Sequence, residues 1–156
     1  MTTIFSPPAT APTNYPTEDR PTLRVGNIPM ARPTSVPAVF RAAARLLAAN
    51  GHHQGDYCPD PFDRRLTSLH SARPLSIVAA LRCVASGGNP HRMTDLSEAA
   101  VKVLAYRLEV EGEPPWNDAP RWLENHVDCW GDVEGRTAES AVAVLEAAAD
   151  ANEVSA

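Results

Sequence analysis

Three short stretches of the chain hold residue types whose spacing could do chemistry. The first, Gly51-His52-His53-Gln54-Gly55-Asp56-Tyr57-Cys58-Pro59-Asp60, crowds imidazoles, an amide, carboxylates, a phenol and a thiol into one segment. His53 and Cys58 with His126 and Cys129 would supply two imidazoles and two thiolates, a set that zinc accepts. Their spacing argues against a metal: neither a C-x2-C nor an H-x3-5-H pair occurs, and no metal or other cofactor is expected. The plainer reading is a helix-connecting loop whose glycines supply positive φ and whose His and Tyr edges cover the core.

The second stretch is Trp116-Asn117-Asp118, followed by Ala119-Pro120. An indole beside an amide and a carboxylate makes a recognition corner. The same residues also suit a helix start, with Asp118 as N-cap, Pro120 in the first turn and Trp116 packed near Trp122 as a loose staple. The third is Asp128-Cys129-Trp130-Gly131-Asp132-Val133-Glu134-Gly135-Arg136. Its alternating acids suggest a calcium loop, but Trp130 and Val133 stand where that loop needs an oxygen ligand and a glycine, which excludes an EF-hand. Cys129 with His126 as its base forms a conceivable thiol dyad, yet the flanking Asp128 and Asp132 would raise the thiol pKa, the reverse of activation. Motifs of the H-E-x-x-H, G-x-S-x-G and G-x-G-x-x-G kinds are absent, and a Walker loop would need a Lys after glycines, whereas Lys102 is the single Lys.

The elements that must position these stretches read as helices throughout. Val39, Phe40, Ala43, Leu46 and Leu47 share one face of a helix over Val36–Asn50, with Pro37 in its first turn and Gly51 as its stop. Asp60-Pro61 opens a short helix carrying Phe62, Leu66 and Leu69. A third helix is predicted from about Ala72 to Ser86, closed by Gly87-Gly88. The fourth starts at Asp95 as N-cap with Glu98 completing a capping box, and carries Leu96, Ala100, Val103, Leu104 and Leu108. A fifth runs from Ala119 to Trp130 with Trp122, Leu123, His126, Val127 and Trp130 to one side, and a last one from Thr137 to about Asn152 with Thr137 as N-cap. No alternating strand of useful length is present. The fold class is therefore all-α: a compact bundle of five or six short helices over residues 36–152.

Ahead of it, eight of the 15 prolines and seven threonines fall within residues 1–37. Prolines that dense forbid a continuous helix, so residues 1–35 are expected to be a disordered, partly polyproline-II tail. Residues 153–156 are expected to fray. The net charge of −5 is also unevenly spread. Residues 1–108 hold 12 basic and seven acidic side chains, whereas residues 109–156 hold two basic and 12 acidic ones. Residues Met1–Pro8 contain no basic or apolar run of the secretory kind, and the longest apolar run, Ile77–Leu81, is far short of the ~20 residues a membrane span needs. With three scattered cysteines, a cytoplasmic chain with reduced thiols is expected.

The Gly51-x-x-Gln54-Gly55 loop, Trp116-Asn117-Asp118 and Arg136-Thr137-x-Glu139 ahead of an Ala/Val/Leu helix together resemble an uncharacterised family. Its members are small actinobacterial and actinophage proteins with a Trp-Asn-Asp … Arg-Thr-x-x-Glu signature. The resemblance covers roughly Val39 to Ala149 and implies a helical accessory protein without an assigned reaction. The reading that results is a protein acting through a partner surface, made of His52, His53, Gln54, Asp56, Tyr57, Trp116, Asn117, Asp118 and Arg136. This surface assumes that the 51–60 loop and the 116–118 corner meet. An unidentified protein is the expected partner. The first alternative is a nucleic-acid-associated regulator or plasmid or phage factor using an Arg face of Arg41, Arg45, Arg64, Arg65, Arg73 and Arg82. The second is a thiol- or metal-dependent enzyme.

Overall fold

Ser35 turns the chain into its first helix: its side-chain oxygen accepts the Ala38 amide at 3.4 Å, and Pro37 sits in the first turn. The computed structural model describes residues 30–59 and 69–153. Among them are α1 (Val36–Asn50), α2 (Ile77–Ser86), α3 (Asp95–Ala105), α4 (Pro120–Asp132) and α5 (Ala138–Glu153), with one 3-10 turn at His70–Ala72. The class is all-α. Two isolated β-bridges, His52 with Leu75 and Val110 with Glu113, are the only extended pairings among the described residues.

Every residue of α2 is buried, which makes it the centre of the bundle. Its apolar sequence, from Ile77 to Ser86, allows this because small residues (Ala79, Ala80, Ala85) let neighbours approach on all sides. Helices α1, α3 and α4 pack around it. Helix α5 lies along α1; Ala141, Leu145, Ala148 and Ala149 of α5 and Val39, Phe40, Ala43 and Leu47 of α1 are all buried. Each fully buried Leu, Ile or Phe in this core contributes about 1.5–3 kcal/mol. Arg41 on α1 donates to Asp150 at 2.9 Å and to both Glu153 oxygens at 2.9 and 2.7 Å, tying the two helices at their ends.

The helix over Val36–Asn50 has the predicted bounds. Others shift for local reasons. Helix α2 begins at Ile77 and not Ala72, because Ser76 is its N-cap and Leu75 is drawn into pairing with His52. Pro74, just before, is compatible with that extended approach and not with a continuing helix. In α3 the capping box is one residue earlier than predicted, Thr94 with Ser97 instead of Asp95 with Glu98. The same helix stops at Ala105, before the Gly112 signal. The Asp118 cap of α4 is a further correction: the N-cap is Ala119, without a side-chain bond. Thr137 does cap α5, accepting the Ser140 amide at 3.3 Å. The short helix predicted after Asp60 and nearly all of the proline-rich tail lie outside the described residues.

Candidate functional site

Helix α4 presents three different faces, and the candidate residues divide along them. One face, Leu123, Val127 and Trp130, is buried in the core. A second carries Glu124, Asp128 and Asp132 at intervals of four, which brings three carboxylates into line along the helix. The third carries Trp122, Asn125, His126 and Cys129.

The acidic face meets the N-terminus of α2 and the segment after α1. His53 N–H donates to the Leu75 carbonyl at 3.0 Å, and Ser76 N–H donates to the Tyr57 carbonyl at 2.9 Å, so residues 52–57 are laid along the Leu75–Ser76 approach to α2. The same segment closes the end of α4. Gln54 Nε2 donates to the Gly131 carbonyl at 2.8 Å and the Val133 carbonyl at 3.1 Å, and Gly55 N–H donates to Asp132 Oδ1 at 2.8 Å. Carbonyls at a helix C-terminus lack intrahelical donors, and Gln54 supplies them from 77 residues away. His52 packs against Gly131, where a Cβ would come within 3.1 Å of its Nε2. Burial pushes the His52 pKa down.

Behind this segment, Arg82 of α2 donates through both Nε and Nη2 to Glu124 Oε1, and its guanidinium lies 5.2 Å from the centre of the Tyr57 ring. Both charged side chains are about nine-tenths buried, at 11 and 12 % exposure. Asp128 sits between this pair and Asp132. Burial raises its carboxyl to about 7, with Asp132 and Glu124 adding to the rise, while hydrogen bonding from Ser76 and the Val78 amide opposes it. Its Oδ1 is buried without a hydrogen-bond partner. Gly55, Asp56, Tyr57, Ser76, Asn125, Asp128 and Asp132 surround an open cleft of about 220 Å3.

The third face of α4 is different in character. Glu111 and Gly112, with φ of 55° and 82°, form a tight turn closed by two Val110–Glu113 backbone bonds of 3.0 Å. Positive φ at both central positions is the type I′ signature. Pro114 and Pro115 then lead into Trp116, whose ring meets Trp122 edge-on at 4.9 Å. Trp116 is 76 % exposed and Trp122 45 %. These residues and Val110, Asn125, His126 and Cys129 enclose an open cavity of about 210 Å3. Asn117 Oδ1 accepts the Ala119 amide at 2.7 Å, a turn that fixes the corner. Asp118, free of the capping role, accepts the Tyr106 hydroxyl and lies 3.6 Å from Lys102 Nζ, which together lower its pKa.

The two predicted stretches line two different openings. Asp56 and Tyr57 line the polar cleft, Trp116 and Asn117 line the aromatic cavity, and Asn125 on the α4 wall is the residue common to both. Arg136 belongs to neither: it stacks on the Trp130 ring at 3.9 Å and donates to the Trp130 carbonyl at 3.3 Å, covering the end of α4. Sequence reasoning missed Ser76, Glu124 and Asn125, and weighed Arg82 only as part of a nucleic-acid-binding face. The four-residue interval from Glu124 through Asp128 to Asp132 was the signal for the acidic face. Of the residues weighed for zinc, Cys58 is buried, Cys129 is exposed, and one ring nitrogen of His126 bonds the Leu108 carbonyl at 2.9 Å. Among the described residues, no group of three or more His, Cys, Asp or Glu side chains is arranged to hold a metal. Likewise, no helix among them is long and apolar enough to cross a membrane.

Compared with known proteins, residues 31–151 match the model of a family of unknown function, DUF6197. No match was found among curated proteins or among solved structures.

Proposed function

This chain belongs to DUF6197, a family of unknown function, and from its geometry we propose that it is a small helical interaction protein whose working surface is the Trp116–Trp122 corner. The observation that carries this reading is the exposed, edge-to-face Trp pair beside an open cavity. A Trp left in water forgoes the burial of an aromatic surface of about 150–250 Å2, and clustered exposed aromatics mark interfaces. The cavity is open, and a second open recess of about 470 Å3 over Arg121, Trp122 and Asn125 adjoins it through two shared residues, so the corner is a broad groove and not an enclosing pocket. A groove of that shape suits an extended polypeptide laid across two indoles, with the Asn117 and Asn125 amides placed to bond its backbone. The 52–57 loop supports this surface by anchoring α4 and is not itself the contact. We further place the protein in the cytoplasm, where three widely spaced cysteines remain thiols.

The Arg-face alternative is weaker, since Arg41, Arg73 and Arg82 are each spent on partners within the chain. The test of the main reading is a titration of the isotope-labelled chain with decaproline, a minimal extended ligand. The indole N–H resonances of Trp116 and Trp122 should move while that of buried Trp130 stays. Unmoved Trp116 and Trp122 signals at millimolar peptide would refute it.

A further inference from the structure

We infer that the partner segment drawn across the Trp116–Trp122 corner carries an arginine, whose guanidinium lies against the indoles and pairs with the Glu113 carboxylate. The inference rests on the corner being a surface for extended polypeptides, and it names the side chain that such a polypeptide presents. The Val110–Glu113 pairing puts those two side chains on one side of the turn, and both line the cavity beside the indoles. Among the described residues that line it, Glu113 is the only Asp, Glu, Lys or Arg. The cavity therefore joins exposed aromatic surface to one negative charge. A guanidinium answers both, since its plane stacks on an indole and its fork of N–H donors meets a carboxylate in pairs.

The charge around the corner agrees. Glu109, Glu111 and Glu113 are exposed, and none of them forms an ion pair among the described residues. Asp118, the other acid between residues 109 and 120, is already held by Tyr106 and Lys102. No Lys or Arg falls in that stretch, and the first base of α4, Arg121, lines the adjoining recess and not this cavity. Carboxylates at 109, 111 and 113 thus set a negative potential at the edge of an aromatic surface, which attracts a basic segment and rejects an acidic one. The chain makes the same kind of contact within itself: the Arg136 guanidinium lies 3.9 Å from the centre of the Trp130 ring and donates to the Trp130 carbonyl.

The experiment titrates the full chain with decaproline and with two derivatives of it, whose fifth residue is arginine in one and citrulline, its uncharged isostere, in the other. The arginine peptide should bind about 10-fold more tightly than the citrulline peptide, a ratio that shrinks to about 2-fold at ~0.5 M salt. Glu113→Gln, at an exposed position of the turn, should cut the same ratio to about 3-fold, with the Trp130 indole signal as the check that the fold is intact. Glu111→Gln makes the same charge change at the tip of the turn, outside the cavity lining, and should lower the ratio by less than about 2-fold. Equal affinities for the arginine and citrulline peptides, with decaproline still binding, overturn the arginine and leave the interaction surface standing. An arginine preference that Glu113→Gln does not reduce, or that Glu111→Gln reduces as much, overturns Glu113 as the partner of the cation. Failure of all three peptides to bind overturns both the arginine and the surface.

Discussion

The two sides of α4 hold comparable numbers of polar and aromatic groups, yet they have opposite relations to the fold. On the side of the 52–57 loop, the polar groups are mostly tied within the chain: Gln54 to the Gly131 and Val133 carbonyls, Gly55 to Asp132, Arg82 to Glu124. On the side of Trp116 and Trp122, the hydrogen bonds shape the corner and leave its indoles to solvent. Polar density alone therefore does not locate a working surface. What distinguishes the two is whether removing a side chain costs the fold or only the surface.

The comparison predicts its largest stability loss at Arg82. In Arg82→Ala, Glu124 keeps a nine-tenths buried carboxylate without its partner, and the chain should lose about 3 kcal/mol by urea denaturation. A loss under about 1 kcal/mol would show that this side of α4 is less committed to structure than its geometry implies.

Asp128 should respond in the other direction. Its carboxyl titrates at about 7 in the fold, above the ordinary carboxylate value, because burial disfavours its charge. Protonation thus favours the folded state. The contribution is fully present below about pH 4 and is lost as the pH rises through about 7. Asp128→Asn should remove this loss and stabilise the chain at pH 8 by about 2 kcal/mol, roughly half the full linkage value because water enters the cleft mouth. His52 and His70, whose pKa values burial depresses, destabilise the fold as they charge on acidification. The difference between native and variant profiles, and not the native profile alone, isolates Asp128. Equal profiles from pH 4 to 8 would contradict the assignment.

Gln54→Ala removes two bonds to the end of α4 and should cost about 1 kcal/mol. Hydrogen exchange at the amides of residues 129–136 should accelerate more than exchange in α1. Uniform acceleration would mean that Gln54 supports the whole fold and not the end of one helix.

How far these roles were legible in the sequence depended on the range of the interactions. Helix α1 was readable to both ends because Pro37, the apolar face and Gly51 are local signals that no distant group contradicts. Asp118 had the right type and position for an N-cap, but Lys102 of α3 and Tyr106 just past its end hold its carboxylate elsewhere. The start of α2 was misplaced because His52, 23 residues from Leu75, competes for the chain there. The acidic interval of α4 was visible as spacing, whereas its meaning required Arg82, 42 residues away. The Trp116–Trp122 contact was anticipated because both residues belong to one short stretch. That the corner and the 52–57 loop line different openings was not, since nothing in a linear pattern says which face of a helix a distant loop will occupy.

The smallest stability effect belongs to Trp116, and the most direct test of the account lies there. Trp116→Ala should shift unfolding by no more than about 0.5 kcal/mol, because the ring is 76 % exposed. The same variant, titrated with decaproline beside the native chain, should bind at least about 10-fold more weakly, as expected when one of two aromatic anchors is removed. That pairing of an intact fold with lost binding is the predicted result. Equal affinity in the two chains, or a loss of binding that only follows a loss of folding, would contradict the claim that this corner is the working surface.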